Sequence, residues 1–190
     1  MMRKIVFIII LAMLGSFANA QDTGKLSKRE QRKLLKEERK KEEANAAAEY
    51  AKLVDYMVKN SEFVLEADML FDKYGNSQPV SSTVNFISVD STEGVLQVGS
   101  PMYLGRNGVG GVTIDGNISD YEFTKNEKRG SYTINYNLIS PVGSYDVNIS
   151  VSESGRADAR VSGNFSSGSL RYSGKLVHPK RSRVYKGMAL

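Results

Sequence analysis

Apolar and polar residues alternate most regularly in residues 131–151, which read SYTINYNLISPVGSYDVNISV. Apolar side chains occupy every second position from Tyr132 to Leu138 and again from Tyr145 to Val151. A period of two places successive side chains on opposite faces of a β-strand. Residues 140–143, Ser-Pro-Val-Gly, fit a type I turn with Pro second and Gly fourth. The stretch therefore predicts an antiparallel hairpin with one apolar face.

The same alternation extends on both sides, over a predicted β domain at residues 61–177. Phe63, Leu65, Ala67, Met69 and Phe71 share one phase and predict one buried face. Gly116 predicts a bulge in a long strand, and Ser154-Gly155 fits a two-residue hairpin. Further strands are predicted at residues 80–90, 95–100, 111–124, 157–161 and 170–176. We expect a mainly β fold, an antiparallel meander of about eight strands that forms a sandwich or a barrel.

One long charged helix should precede the strands, as an arm at residues 21–60. Residues 25–59 hold 11 Lys or Arg against 7 Asp or Glu, with no Gly or Pro. Ser27 and Glu30 form a capping box. An apolar face at residues 50–58 should dock on the strands. The interleaved glutamates favour a solvated spacer over a basic patch; we expect weak contact with anionic surfaces at most and no nucleic-acid partner.

Residues 1–20 have the pattern of a cleaved signal peptide. Arg3 and Lys4 precede an apolar run of ten residues, 5–14, and Ala18-Asn19-Ala20 supplies small residues for cleavage after Ala20. The run is shorter than the roughly 20 residues that a membrane-spanning helix needs. We therefore expect no transmembrane span, and a cell-envelope protein that is periplasmic or secreted.

The composition excludes several kinds of chemistry. The chain has no cysteine and one histidine. This removes cysteine nucleophiles, disulfides, thiolate metal sites and sites with several histidines, so we expect no metal and no cofactor. His178 begins a basic tail at residues 178–190, where a solvated side chain is expected rather than a positioned catalytic base.

Paired carboxylates are the candidate groups for a hydrolase. Glu66 and Asp68 share one strand face, and so do Asp120 and Glu122. Both pairs lie opposite the apolar phase, and exposed carboxylates with ordinary pKa values are poor general acids. No catalytic residue is assigned, and an envelope hydrolase remains only an alternative.

Two other groups are candidate contact sites. The glycine-rich residues 105–111 lack the Gly-Lys-Ser/Thr of a phosphate loop. They predict a connection from which Tyr103, Arg106 and Asn107 could contact a ligand or partner. The second group lies on the apolar phases of neighbouring strands and would line a cavity in a barrel, or pack the core of a sandwich. It comprises Tyr132, Tyr136, Tyr145 and Tyr172.

Several stretches resemble one family of secreted proteins from Bacteroidota, domain of unknown function family 4251. They are FVLEAD at 63–68, VNFISVD at 84–90, QVGSP at 97–101, NGVGGVT at 107–113, TKNEK at 124–128, SPVG at 140–143 with YD at 145–146, and YSG at 172–174. The resemblance implies an exported envelope protein with a helix before a β fold, and it implies no activity. A source in Bacteroidota would also make Ser91, in Asp90-Ser91-Thr92, a candidate O-glycosylation site.

These observations favour a non-enzymatic binding or interaction module whose partner is an unknown envelope protein or small ligand. The alternatives are a lipocalin-like carrier of a small ligand and the hydrolase. A cavity of a few hundred Å³ lined by the tyrosines would favour the carrier.

Overall fold

The structure is a computed structural model that describes residues 27–100, 107–163 and 168–190. One helix is followed by nine strands and a short 3₁₀ helix. The helix is α1, Lys28–Lys59, and the 3₁₀ helix is Pro179–Arg181. The strands are β1 (Glu62–Phe71), β2 (Ser77–Pro79), β3 (Phe86–Asp90), β4 (Glu93–Val98), β5 (Val112–Asn126), β6 (Ser131–Ser140), β7 (Gly143–Val151), β8 (Arg156–Gly163) and β9 (Ser169–Val177).

The strands form a closed antiparallel barrel. From β3 to β9 each strand pairs with the next in sequence, and β1 pairs with both β3 and β9. Val64 pairs with Val177 and Leu65 with Leu176, which closes the ring of eight strands. The short β2 pairs with the last residues of β1 as one extra strand. The mainly β meander is confirmed, and the barrel is the form it takes.

The apolar phase of each strand faces a single interior core. On β6 and β7, alternate residues from Tyr132 to Leu138 and from Val147 to Val151 are buried. Phe63, Leu65 and Ala67 of β1 join the same core. This interior is the buried apolar surface that stabilises the barrel.

The expected bulge at Gly116 was wrong. Gly116 stays in regular register, and it is needed because a Cβ there would lie 2.2 Å from the Ile139 carbonyl oxygen. The register of β5 instead shifts between Ser119 and Glu122, where Asp120 has φ of 54°. A bulge residue with positive φ inverts which face the following side chains occupy.

The apolar phase of β1 also changes along the strand. The pairing with β9 shifts between Ala67 and Met69, so Leu70 packs against the core. Phe71, expected inside, instead stacks under the Arg171 guanidinium at 3.8 Å. The single apolar face proposed for residues 63–71 therefore ends at Ala67.

Two connections differ from their predicted form. The strand expected at residues 80–90 begins only at Phe86, because Val84 N donates to Ser81 O in a turn. The connection between β7 and β8 is four residues, 152–155, rather than two, with Gly155 at φ of 79°. There, Ser152 N donates to Arg156 O and Gly155 N donates to Ser152 O.

The chain divides into two units between Asn45 and Ala46, and α1 contributes to both. In the first unit the capping box is present: Ser27 N donates to Glu30 Oε2 at 2.8 Å and Glu30 N donates to Ser27 Oγ at 3.3 Å. The helical residues of this unit are exposed throughout. In the second unit, Val54, Met57 and Val58 are buried, which confirms the predicted docking face.

The basic tail packs along the barrel through backbone hydrogen bonds. Tyr185 N donates to Thr83 O, Met188 N to Asn107 O and Leu190 N to Thr113 O. The amide of Gln97, fully buried on β4, bonds Tyr185 O at 2.8 Å and accepts from Gly187 N at 2.8 Å. The tail thus covers polar side chains on the outer side of the barrel.

Candidate functional site: an apolar cavity in the barrel

A cavity of about 300 Å³ lies inside the barrel, at one end. It is built where β4, β7, β8 and β9 bring their apolar phases together with the start of β5. Its described lining consists of Leu96, Val98, Val112, Ile114, Tyr145, Val161, Gly163, Gly168, Ser169, Leu170 and Tyr172. The volume is at the lower end of the roughly 300–1,000 Å³ typical of small-molecule pockets.

The cavity has an exposed rim and a buried inner end. Val112 at the rim is 43% exposed, whereas Leu96 and Tyr172 further in are 4% and 2% exposed. On β8, Val161 and Gly163 are two residues apart and so share the inner phase. Gly163 pairs with Tyr145, and as a glycine it adds no side chain to the wall.

The opposite end of the barrel is covered by the second half of α1. The Tyr50 hydroxyl donates to Leu176 O near the end of β9, and the Tyr121 hydroxyl donates to Val58 O at 2.8 Å. Burial raises the pKa of Tyr121 to about 12, so this phenol stays protonated as a donor. One end is therefore closed by a helix, and the apolar cavity lies at the other.

The four tyrosines proposed as cavity lining separate into three places. Tyr145 and Tyr172 line the cavity. Tyr132 lies at the helix-covered end, where its hydroxyl donates to Asp55 of α1. Tyr136 lies in the core between these ends, 3% exposed, with its ring stacked 6.2 Å from that of Tyr121.

Tyr136 has an unusual hydroxyl. Among the described residues, it is the buried side-chain polar atom that has no hydrogen-bond partner. Burial, reinforced by the nearby Tyr121 and Tyr172 phenols, raises its pKa far above the ordinary value. A buried hydroxyl normally finds a partner, because leaving it unpaired costs about 1–3 kcal/mol.

The other proposed site residues lie apart from the cavity. Ala20, Tyr103 and Arg106 lie outside the described residues. Asn107 is 2% exposed; its Oδ1 accepts from Val109 N at 3.1 Å and Gly111 N at 2.9 Å, which fixes the glycine-rich connection. Ser91 is exposed at the β3–β4 turn, with φ of 54°, and its modification stays a prediction.

Three of the four carboxylates considered for hydrolysis have structural partners. Glu66 Oε1 accepts from Ser182 Oγ at 2.7 Å and so holds the C-terminal tail. Asp68, where the register of β1 shifts, forms a bidentate ion pair with Arg156 at 2.6 and 2.9 Å. Asp120 accepts from Asn137 at 3.2 Å on the outer face. None of these carboxylates belongs to the described cavity lining.

His178 is not the solvated side chain that the sequence suggested. Its side chain is 14% exposed and stacks on Tyr56, with ring centroids 6.2 Å apart. Nε2 lies 3.8 Å from Glu62 Oε1, and Nδ1 accepts from Lys180 N to cap the 3₁₀ helix. His178 therefore contacts α1 through Tyr56, β1 through Glu62 and the tail through Lys180.

The described residues include neither a candidate metal centre nor a membrane-spanning helix. No group of three or more His, Cys, Asp or Glu side chains is arranged to hold a metal ion there. In the same residues, no helix has both the length and the hydropathy required to cross a bilayer.

Most of the cavity wall was not singled out from the sequence. For Leu96, Val98, Val112, Ile114 and Leu170 the sequence predicts only that they lie in strands. Their position along the strands is the feature that could have identified them. Each lies near the end of its strand that is farther from the contacts with α1. Using that feature required knowing which end α1 covers.

Fold and cavity together define an antiparallel barrel protein with one helix-covered end and one apolar pocket. The profile of the family described as domain of unknown function (DUF4251) matches residues 45–176. The chain belongs to this family. Its structure is similar to the crystal structure of a DUF4251 family protein from Bacteroides eggerthii DSM 20697, with 28% sequence identity and a TM-score of 0.62. The similarity covers 73% of this chain and 93% of that one. No protein with curated functional information matches the sequence.

Proposed function

We propose that the barrel binds a small apolar ligand in its cavity. The observation that carries this proposal is a pocket of about 300 Å³ whose described lining is almost entirely aliphatic or tyrosine. Val112 at its rim leaves 43% of its surface exposed. Covering such surface is favourable, at about 25 cal/mol per Å² of apolar area removed from water.

A binding role without catalysis agrees with the placement of the ionisable groups. Glu66 and Asp68 hold the tail and Arg156, and the described cavity wall contains no carboxylate. A general acid or base must reach its substrate within hydrogen-bond distance. The protein therefore acts as a carrier or sensor of its ligand in this proposal.

The proposal includes the place of action. The pattern of residues 1–20, with Arg3 and Lys4 before a ten-residue apolar run, supports export and cleavage after Ala20. The mature protein would then meet its ligand in the periplasm or outside the cell. Mass measurement of the N-terminus of the protein from an envelope fraction tests this part separately, with Gln21 expected as the first residue.

The binding proposal is tested with N-phenyl-1-naphthylamine, a neutral apolar dye that fluoresces on burial. Val161 lines the cavity, and Val161→Phe should fill it and weaken dye binding at least tenfold. Arg160→Phe is the matched control, because the neighbouring residue points to the other face of β8. Leu170→Phe provides a second blocking variant at the half-buried wall.

Two results would contradict the binding proposal. One is a wild-type protein that leaves the dye fluorescence unchanged at saturating concentrations. The other is a pair of folded blocking variants that bind the dye as tightly as Arg160→Phe does. Melting curves of all variants show whether each is folded under the assay conditions.

An interaction role is the second candidate function. The observation that favours it is the helical segment at residues 28–45, which is exposed throughout and carries basic and acidic side chains in mixture. A solvated helix of this kind can contact a partner or an anionic surface without burying a core. Co-sedimentation with anionic vesicles, compared between the full chain and a variant lacking residues 21–43, tests it.

A further inference from the structure

The described cavity wall has no formal charge. Its polar side chains are those of Tyr145, Tyr172 and Ser169, and its other members are aliphatic or glycine. A charged ligand group moved into such a site loses its hydration and gains no counter-ion from the described wall. The wall can accommodate a neutral polar atom, since a phenol hydroxyl donates to an oxygen acceptor.

Tyr136, whose hydroxyl has no partner, belongs to an interior layer that includes part of this wall. Tyr136 pairs with Val147, Val147 with Val161 and Val161 with Leu170. Directly paired residues in antiparallel strands put their side chains on the same face, so Tyr136 shares an interior layer with two cavity residues. An unsatisfied donor thus belongs to a residue in the same layer as Val161 and Leu170 of the cavity wall.

Tyr172 connects the cavity with that donor. It lines the cavity and is 2% exposed, and it lies two residues along β9 from Leu170, so it belongs to the interior layer next to that of Tyr136. Burial raises the pKa of Tyr172 as well, so both phenols are protonated at neutral pH. One neutral donor therefore lies on the cavity wall, and a second, unsatisfied one belongs to a residue in the neighbouring layer of the barrel interior.

We infer that the cavity selects an uncharged ligand with an apolar body and one acceptor oxygen at its inner end, bonded by the Tyr172–Tyr136 pair, and rejects carboxylates. This inference rests on the proposed function and specifies the chemical class of the ligand. Neutral ketones, aldehydes and ethers of a dozen or so heavy atoms belong to this class.

The test uses three fluorescent probes of similar shape: naphthalene, 2-acetonaphthone and 2-naphthoate. Naphthalene has no oxygen, the ketone has a neutral acceptor, and the carboxylate carries a charge in nearly the same volume. At pH 7.5 we expect 2-acetonaphthone to bind several-fold more tightly than naphthalene and at least tenfold more tightly than 2-naphthoate. Fluorescence titration, repeated by calorimetry, gives the three dissociation constants.

Variants of the two tyrosines assign the selectivity. Tyr172→Phe should weaken ketone binding about 3- to 10-fold, which corresponds to one hydrogen bond, and leave naphthalene within twofold. Tyr136→Phe should likewise reduce the preference for the ketone over naphthalene. This variant should melt at or above the wild-type temperature, because it removes an unpaired hydroxyl. Tyr74→Phe is the control, since Tyr74 is 79% exposed and is not among the described lining residues.

The outcomes separate this inference from the proposed function. If none of the three probes binds, the proposed function fails and the inference fails with it. If 2-naphthoate binds as tightly as 2-acetonaphthone, the cavity binds ligands but the selectivity is wrong. If both tyrosine variants keep the wild-type preference for the ketone, the hydroxyl pair is not its origin and the inference is overturned.

Discussion

Asp55 of α1 accepts a hydrogen bond from the Tyr132 hydroxyl of β6. The same carboxylate pairs with Lys59 at 2.7 Å and with Lys125 of β5 at 3.4 Å. The helix that closes one end of the barrel is thus connected to two strands through one side chain. These bonds hold the pKa of Asp55 at about 2, with the Lys59 hydrogen bond as the largest cause and Tyr132 next.

We expect Asp55→Asn to lower the free energy of unfolding at pH 7 by about 1 kcal/mol. The side chain is 29% exposed, so solvent screening keeps the effect below the full value of the shift. Because the folded pKa is depressed, this stabilisation is complete above about pH 4 and is lost as the pH falls towards 2. The difference between wild type and variant should shrink over that range.

Urea unfolding of the two proteins at several pH values measures this difference. Glu49→Gln is the control, since Glu49 is an exposed carboxylate on the same helix. A difference that is the same at pH 7 and pH 2.5 would show that Asp55 stabilises the protein by packing rather than by charge.

Gly174 permits the closure of the barrel, and Gly174→Ala should disrupt it. The residue pairs with Ala67 on β1 and Ala157 on β8. An added Cβ would lie 1.9 Å from the Glu66 carbonyl oxygen, which belongs to the backbone and cannot turn aside. We expect a loss of about 3 kcal/mol or more, or failure to fold.

Gly75→Ala is the matched glycine variant for this experiment. Gly75 has φ of 89°, but a Cβ there meets nothing within 4 Å, so its cost should be near 1 kcal/mol. Thermal melting of both variants gives the comparison. Equal losses would mean that backbone conformation, and not the close approach of β9 to β1, explains the effect of Gly174.

The pairing of strands adjacent in sequence could be predicted far better than the closure of the barrel. The hairpin of β6 and β7 could be predicted because its period of two, its turn and its register lie within 21 consecutive residues, 131–151. Closure pairs Leu65 with Leu176, and no local pattern indicates which distant strands meet. The choice between sandwich and barrel depended on that one long-range pairing.

The candidate site was only partly accessible from the sequence, for a related reason. The apolar phase identified Tyr145 and Tyr172 as inward, but Tyr132 in the same phase contacts the helix instead. Which inward residues meet a cavity depends on which barrel end α1 covers. Tertiary contacts of Tyr50 and Val58 decide that, and their helical spacing carries no information about the end chosen.

Gln97 fastens the C-terminal tail to the barrel, and we expect Gln97→Ala to cost about 2–3 kcal/mol. The side chain is fully buried and bonds Tyr185 O, Gly187 N and the Thr113 hydroxyl at 2.8 to 2.9 Å. Alanine leaves these three groups without their partner, and unsatisfied buried groups are costly.

Hydrogen exchange of the Gly187 amide and trypsin cleavage after Lys186 report on the tail directly. Both should become faster in Gln97→Ala and remain unchanged in Gln78→Ala, which alters an exposed glutamine on β2. Unchanged exchange at Gly187 in a destabilised Gln97→Ala protein would place the lost stability elsewhere in the barrel.

The two halves of α1 should differ sharply in their contribution to stability. Removing residues 21–43 should leave the melting temperature within about 2 °C of the full chain, because helical residues before Ala46 are exposed and absent from the described core. Met57→Ala should instead cost about 2–5 kcal/mol, since Met57 is fully buried in that core. Calorimetric scans of both proteins make the comparison. A large drop in melting temperature on truncation would show that the first half of α1 stabilises the barrel. A Met57→Ala variant that melts like wild type would show that the second half does not.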